Sequence, residues 1–128
     1  MASRFIATQE CVCHDNVKQE LVRRQENDTT LFGQSIGLQG RALMNEVIGE
    51  VLEVEKRGGG LEELIPLMSG YRIKQAWEEG NVELAPLAVG QSIGLIKDVP
   101  SCRELLEGMA RECAETLERA GRMAGVGS

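Results

Sequence analysis

The chain has 128 residues, enough for one domain with a real core, and carries a formal net charge of −6. Its 14 Lys and Arg are interspersed among 20 Asp and Glu, so no clustered cationic surface exists for a nucleic-acid backbone. No apolar run reaches bilayer length and MASRFIATQE lacks a secretory apolar stretch, so a cytoplasmic setting without membrane contact is expected.

In chain order, Met1 to Ala7 reads as a short strand or strand end leaving a core. Asp15 or Asn16 can cap a helix that carries Val17, Leu21 and Val22 on one face and runs to about Arg24. Gln25 to Thr30 is polar and reads as a loop. Leu43, Met44, Val47, Ile48, Val51 and Leu52 recur at helical spacing, and Gly58-Gly59-Gly60 stops that helix. The acidic residues from Glu50 to Glu55 read as its solvated face. Shorter helices follow over Leu61–Met68 and Arg72–Glu79, with Tyr71 and Trp77 as packing anchors. An apolar stretch runs from Leu84 to Ile96. Ser101-Cys102-Arg103-Glu104 is a capping box after Pro100, opening a helix with a stripe of Leu105, Leu106, Met109, Cys113, Leu117 and Ala120. That helix ends near Gly121 or Gly125, and Val126-Gly127-Ser128 should fray. The chain is thus mostly α, and the opening strand has no convincing partner.

The hexapeptide GQSIGL occurs twice, at 33–38 and 90–95. Similarity does not extend beyond the six residues on either side, which argues against a duplicated unit. No Lys follows either copy, so a phosphate-cradling loop is weakly signalled and a tight turn or close packing is the better reading. Cys11-Val12-Cys13-His14 has the residue types of a metal or redox cluster. It lacks the spacing of four zinc ligands and the CxxC of thiol oxidoreductases, so free thiols are expected, with His14 as a helix-start residue.

Taken together, several segments resemble one family. Met1-Ala2-Ser3-Arg4-Phe5 with Ala7-Thr8-Gln9-Glu10 is similar to an MGTRF-x-AT-x-E pattern. His14 and Lys18 follow, then Gly40-Arg41-Ala42-Leu43 with Asn45. Val89-Gly90-Gln91-Ser92-Ile93-Gly94-Leu95-Ile96 is similar to AGQ-x-x-GLI. In this order and spacing they resemble the C-terminal part of the nitronate monooxygenases, once called 2-nitropropane dioxygenases, and related flavin-dependent enoyl reductases.

The resemblance implies a piece of an α/β TIM (β/α)8 barrel holding FMN, a fold of about 250 residues when whole. It divides the chain into a last strand and helix (1–26), a helical insert (27–80) and closing helices (81–128). Met1 then matches a methionine internal to the family, as in a truncated gene product. The second GQSIGL falls on a family motif and the first does not, so their likeness is coincidental. The cofactor-binding residues implied are Met1, Ala2, Ser3 and Gln91, with Ser3 where the family has Thr and Ala2 where it has Gly. If that position needs positive φ, Ala2 carries a cost. The activity implied is oxidation of a small-molecule alkyl nitronate by oxygen to nitrite and a carbonyl compound. The family's histidine base lies upstream, so the chain by itself is expected to be inactive. Enoyl or quinone reduction on the same scaffold, or a standalone helical interaction module, are the alternatives, and the apolar stripes also allow a homo-oligomer.

Overall fold

Two four-residue strands, TTLF and GRAL, pair in the first third of this chain although neither alternates apolar and polar residues. The computed structural model describes residues 2–125; the fraying expected at 126–128 and the site role expected of Met1 lie outside the described residues. Strands β1 (Thr29–Phe32) and β2 (Gly40–Leu43) form an antiparallel hairpin with Thr29 opposite Leu43 and Phe32 opposite Gly40. Residues 27–80 are therefore not wholly helical, and Leu43 belongs to a strand, not to the helix after it. Leu43 and Met44 satisfy the helical period, but Asn45 caps a helix with its carbonyl oxygen on the Ile48 N–H (3.0 Å), so the helix begins at Glu46.

Among the described residues six helices frame the hairpin: α1 (Ala2–Ile6), α2 (Asp15–Arg23), α3 (Glu46–Lys56), α4 (Leu61–Met68), α5 (Gly70–Glu79) and α6 (Cys102–Met123). Two 3-10 helices add Glu26–Asp28 and Gln91–Leu95. The strand expected at the start is the helix α1. Among the described residues no strand runs beside 2–6, and a helical turn satisfies locally the backbone groups that an extended segment would leave unpaired.

Side chains of successive strand residues point to opposite faces. Ala42 enters one core with Phe32, Val47, Ile48, Val51, Val54 and Leu64, which joins the hairpin to α3 and α4. Leu43 enters the other with Ala7, Val17, Leu21, Val89, Ile93 and Ile96. A third extended piece closes on β2. The Leu43 N–H donates to the Leu87 carbonyl (3.0 Å) and the Val89 N–H to the Arg41 carbonyl (3.1 Å). Asn45 reinforces this joint, donating through its amide to the carbonyls of Val82 (2.7 Å) and Ala85 (2.9 Å). The apolar stretch expected over 84–96 thus becomes a core-lining segment that ends in the second 3-10 helix.

Helix α6 starts as its capping box requires: the Glu104 N–H donates to the Ser101 hydroxyl and the Ser101 N–H to the Glu104 carboxylate (2.8 Å). Only Leu105 of α6 is buried, while Leu106 and Leu117 are 55% and 68% exposed. The stripe expected to be core is therefore largely open beyond its first turns. Tyr71, expected as an anchor, is also exposed, whereas Trp77 packs on the core. No helix among the described residues is long and apolar enough to cross a membrane.

Candidate cofactor site

The two motif segments that sequence order separates most widely meet in space. The Gly90 N–H donates to the Ser3 hydroxyl oxygen at 3.0 Å, across 87 positions of chain. Ser3 is buried in α1, so its oxygen is fixed where Gly90 turns the chain into the 3-10 helix. Gln91 opens that helix and is exposed; Ala2 is exposed beside Ser3. The first amides of a helix lack partners within it and are free to face an anion. Ala2 has no positive φ, as no non-glycine residue among the described ones does, so alanine imposes no backbone strain there. The site residues expected from sequence at 2, 3 and 91 share one corner of the fold, with Ser3 engaged in positioning Gly90.

Other residues of the motif segments brace the turn that follows α1. The Glu10 carboxylate accepts from the Cys102 N–H with both oxygens (3.0 and 2.9 Å), and that contact, first of all, holds it below the usual carboxylate range. The Gln9 N–H donates to the Pro100 carbonyl (3.0 Å). Lys18 is buried, donates to the Gln9 carbonyl (3.3 Å) and lies 3.4 Å from Asp15. The turn at 9–10 is therefore clamped between α2 and the start of α6. The sequence signal was present in the ATQE segment and Lys18, but nothing in the spacing says that a carboxylate at 10 caps a helix at 102.

His14 accepts from the Asn16 N–H through Nδ1 (3.1 Å) as the cap of α2, as expected for a helix-start residue. Its imidazole lies over Gly80, where a Cβ would stand 2.3 Å from Nδ1, so a glycine is required for the close approach. Gly80 also ends α5 with φ of 71°. Among the described residues no three of His, Cys, Asp and Glu are grouped to hold a metal ion.

The two GQSIGL copies adopt different conformations. The first is the hairpin turn, with Gly33 at φ 74° and the Leu38 N–H on the Gly33 carbonyl (3.0 Å). Glu55 folds over it, accepting from the N–H groups of Gly33 (3.0 Å) and Ser35 (2.9 Å). Burial works to raise the Glu55 carboxyl, but these donors outweigh it and hold it low. Glu55 is thus a ligand of the turn and not part of a merely solvated face. The second copy is the 3-10 helix beside Ser3. Identical hexapeptides that fold differently support coincidence.

An open groove of about 1040 Å³ lies next door, between the 95–100 segment and the start of α6. Arg4 and Ser92 line it, but Ser3 and Gln91 do not. Arg4 is tied to Asp98 by an ion pair and donates to the Asp98 carbonyl (3.0 Å), so it holds the groove's wall together. The corner at 3 and 90–91 presents a buried hydroxyl and the start of a 3-10 helix, whereas the groove is lined by charges of both signs.

Known proteins place the chain. The family model for nitronate monooxygenase matches residues 1–112, and the chain belongs to that family. It is 23% identical to the (3aS,4S,5R,7aS)-5-hydroxy-7a-methyl-1-oxo-octahydro-1H-indene-4-carboxyl-CoA dehydrogenase of Rhodococcus jostii, over 96% of this chain and 45% of that protein. The protein of the same name from Mycobacterium tuberculosis is 22% identical over the same shares. The structure of FabK from Thermotoga maritima is similar with a TM-score of 0.84 and 27% identity, over 92% of this chain and 37% of that one. The chain spans about half the length of the curated relatives it matches.

Proposed function

We propose that the chain supplies the C-terminal part of a TIM-barrel, FMN-dependent oxidoreductase, which in its complete form oxidises alkyl nitronates with oxygen to nitrite and a carbonyl compound. The observation that carries this reading is the Ser3–Gly90 joint, which brings the family's two motif segments to one corner, together with the match over residues 1–112. FMN, when bound, supplies the electron acceptance and the reaction with oxygen. This chain's part is to receive the phosphate end at the amide of Gln91, with the Ser3 hydroxyl holding Gly90 behind it and Ala2 at the rim. Glu10 and Lys18 hold the turn at 9–10 that follows α1.

A second reading is favoured by the names of the relatives: a CoA-thioester dehydrogenase stands among them, so an acyl-thioester could be the substrate on the same flavin scaffold. The test is expression from the natural locus with the region upstream of the Met1 codon included. A yellow product that releases nitrite from propyl nitronate is the expected result. A yellow product that acts only on enoyl or acyl thioesters would favour the second reading. A product that starts at Met1 and leaves FMN fluorescence unchanged would contradict both.

A further inference from the structure

We propose that Cys11 and Cys13 form a dithiol modification site, which small disulfides of the glutathione class oxidise to an intrachain disulfide. The two sulfur atoms are already in contact at 3.6 Å, in the link between α1 and α2. Val12 between them is 96% exposed and belongs to no helix or strand, so the three-residue link can turn without breaking an element. The two thiols differ in access. Cys11 is half-buried and reachable, whereas Cys13 is buried, with its sulfur 4.0 Å from the Ile6 carbonyl. Cys102 and Cys113 have no such neighbour: Cys102 lies 3.6 Å from the Thr8 hydroxyl and Cys113 is exposed on the outer face of α6.

The order of events follows from this asymmetry. Burial, and then the adjacent Cys11, push the Cys13 thiol up to about 12, so Cys13 stays protonated and Cys11 reacts first. The Cys11 thiolate attacks one sulfur of the reagent; the reagent's S–S bond breaks and one half leaves as thiolate. Cys11 then carries the other half and no longer donates to Cys13. Cys13 gives its proton to solvent and attacks the Cys11 sulfur, the mixed S–S bond breaks, and the second half leaves as a thiolate; both departed halves then take up protons from solvent. In sum, two cysteine thiols lose two electrons and two protons, and one disulfide becomes two thiols. Cys11 and Trp77 pack on the same core, and Trp77 is the only tryptophan, so its emission reports the closure.

The experiment is exposure of the full chain, folded, to oxidised glutathione, followed by mass analysis of the peptide 5–18 released by cleavage after Arg4 and Lys18. The expected result is loss of two hydrogens from that peptide with no glutathione retained. A fall in Trp77 emission that a reductant reverses should accompany it, while Cys113 collects a stable glutathione. Cys13→Ser should trap glutathione on Cys11, and Cys11→Ser should leave Cys13 unmodified. A peptide that keeps both thiols while Cys113 reacts, or a stable adduct on Cys11 in the unaltered chain, would overturn the proposal. If either variant unfolds, the mass of the unaltered peptide still decides.

Discussion

Replacing one glycine in each copy of GQSIGL separates two meanings of the same six letters. Gly33 has a φ of 74°, and a Cβ there would stand 2.3 Å from the Leu38 carbonyl oxygen. The left-handed backbone alone costs a non-glycine residue about 1–2 kcal/mol. The clash is with backbone, so relief requires the turn to open, which weakens the Leu38–Gly33 bond and the Glu55 grip for about another 1–2 kcal/mol. Gly33→Ala should therefore destabilise the chain by about 2–4 kcal/mol. Gly90 has a φ of −92° and a Cβ there meets only the Ser92 hydroxyl, at 3.7 Å. Gly90→Ala should be neutral or stabilise by up to about 1 kcal/mol, because alanine narrows the unfolded ensemble. Urea unfolding, followed by Trp77 fluorescence and by far-UV circular dichroism, measures both. Equal losses for the two variants would refute the claim that the copies are structurally unrelated.

Further expectations concern the braces. Asn45→Ala should cost about 2–4 kcal/mol in the same unfolding assay, since it removes a cap and two bonds to the 82–85 segment, and Asn45→Asp should restore only the cap. Ser3→Ala leaves the Gly90 N–H without its acceptor, a loss of about 1–3 kcal/mol that Ser3→Thr should largely avoid. The carboxyls of Glu10, Glu104 and Glu55 are all held below their ordinary value of 4.5. Lowered folded values give stability that is full above the unfolded value and is lost as pH falls through the folded one. The melting temperature should thus fall as pH drops below about 5, with the start of α6 losing amide protection early. A flat profile over that range would contradict the assigned contacts.

Much of the architecture could be read from local chemistry. The capping box at Ser101–Glu104, the helix over Leu61–Met68 and the role of His14 all depend on neighbours within a few residues, and the structure shows them. The hairpin was hidden because Leu43 and Met44 fit a helical stripe as well as a strand, and only the Asn45 cap decides between them. The opening segment read as a strand because an apolar run of that length carries no period. Its helical form depends on what lies beside it in space. The same holds for the outer stripe of α6, whose spacing promises burial that the described residues do not provide. At the candidate site, the motif residues 3 and 90–91 could be named from the resemblance. The functions of Glu10 and Glu55 as clamps could not, since each acts on residues far off along the chain.

The most direct measurement is an amide NMR titration of the chain with FMN and, separately, with riboflavin, which differs only in lacking the phosphate. The account predicts that FMN shifts the amide signal of Gln91 and that riboflavin leaves it in place. Shifts confined to the groove under α6, or no response of Gln91 to FMN, would contradict it.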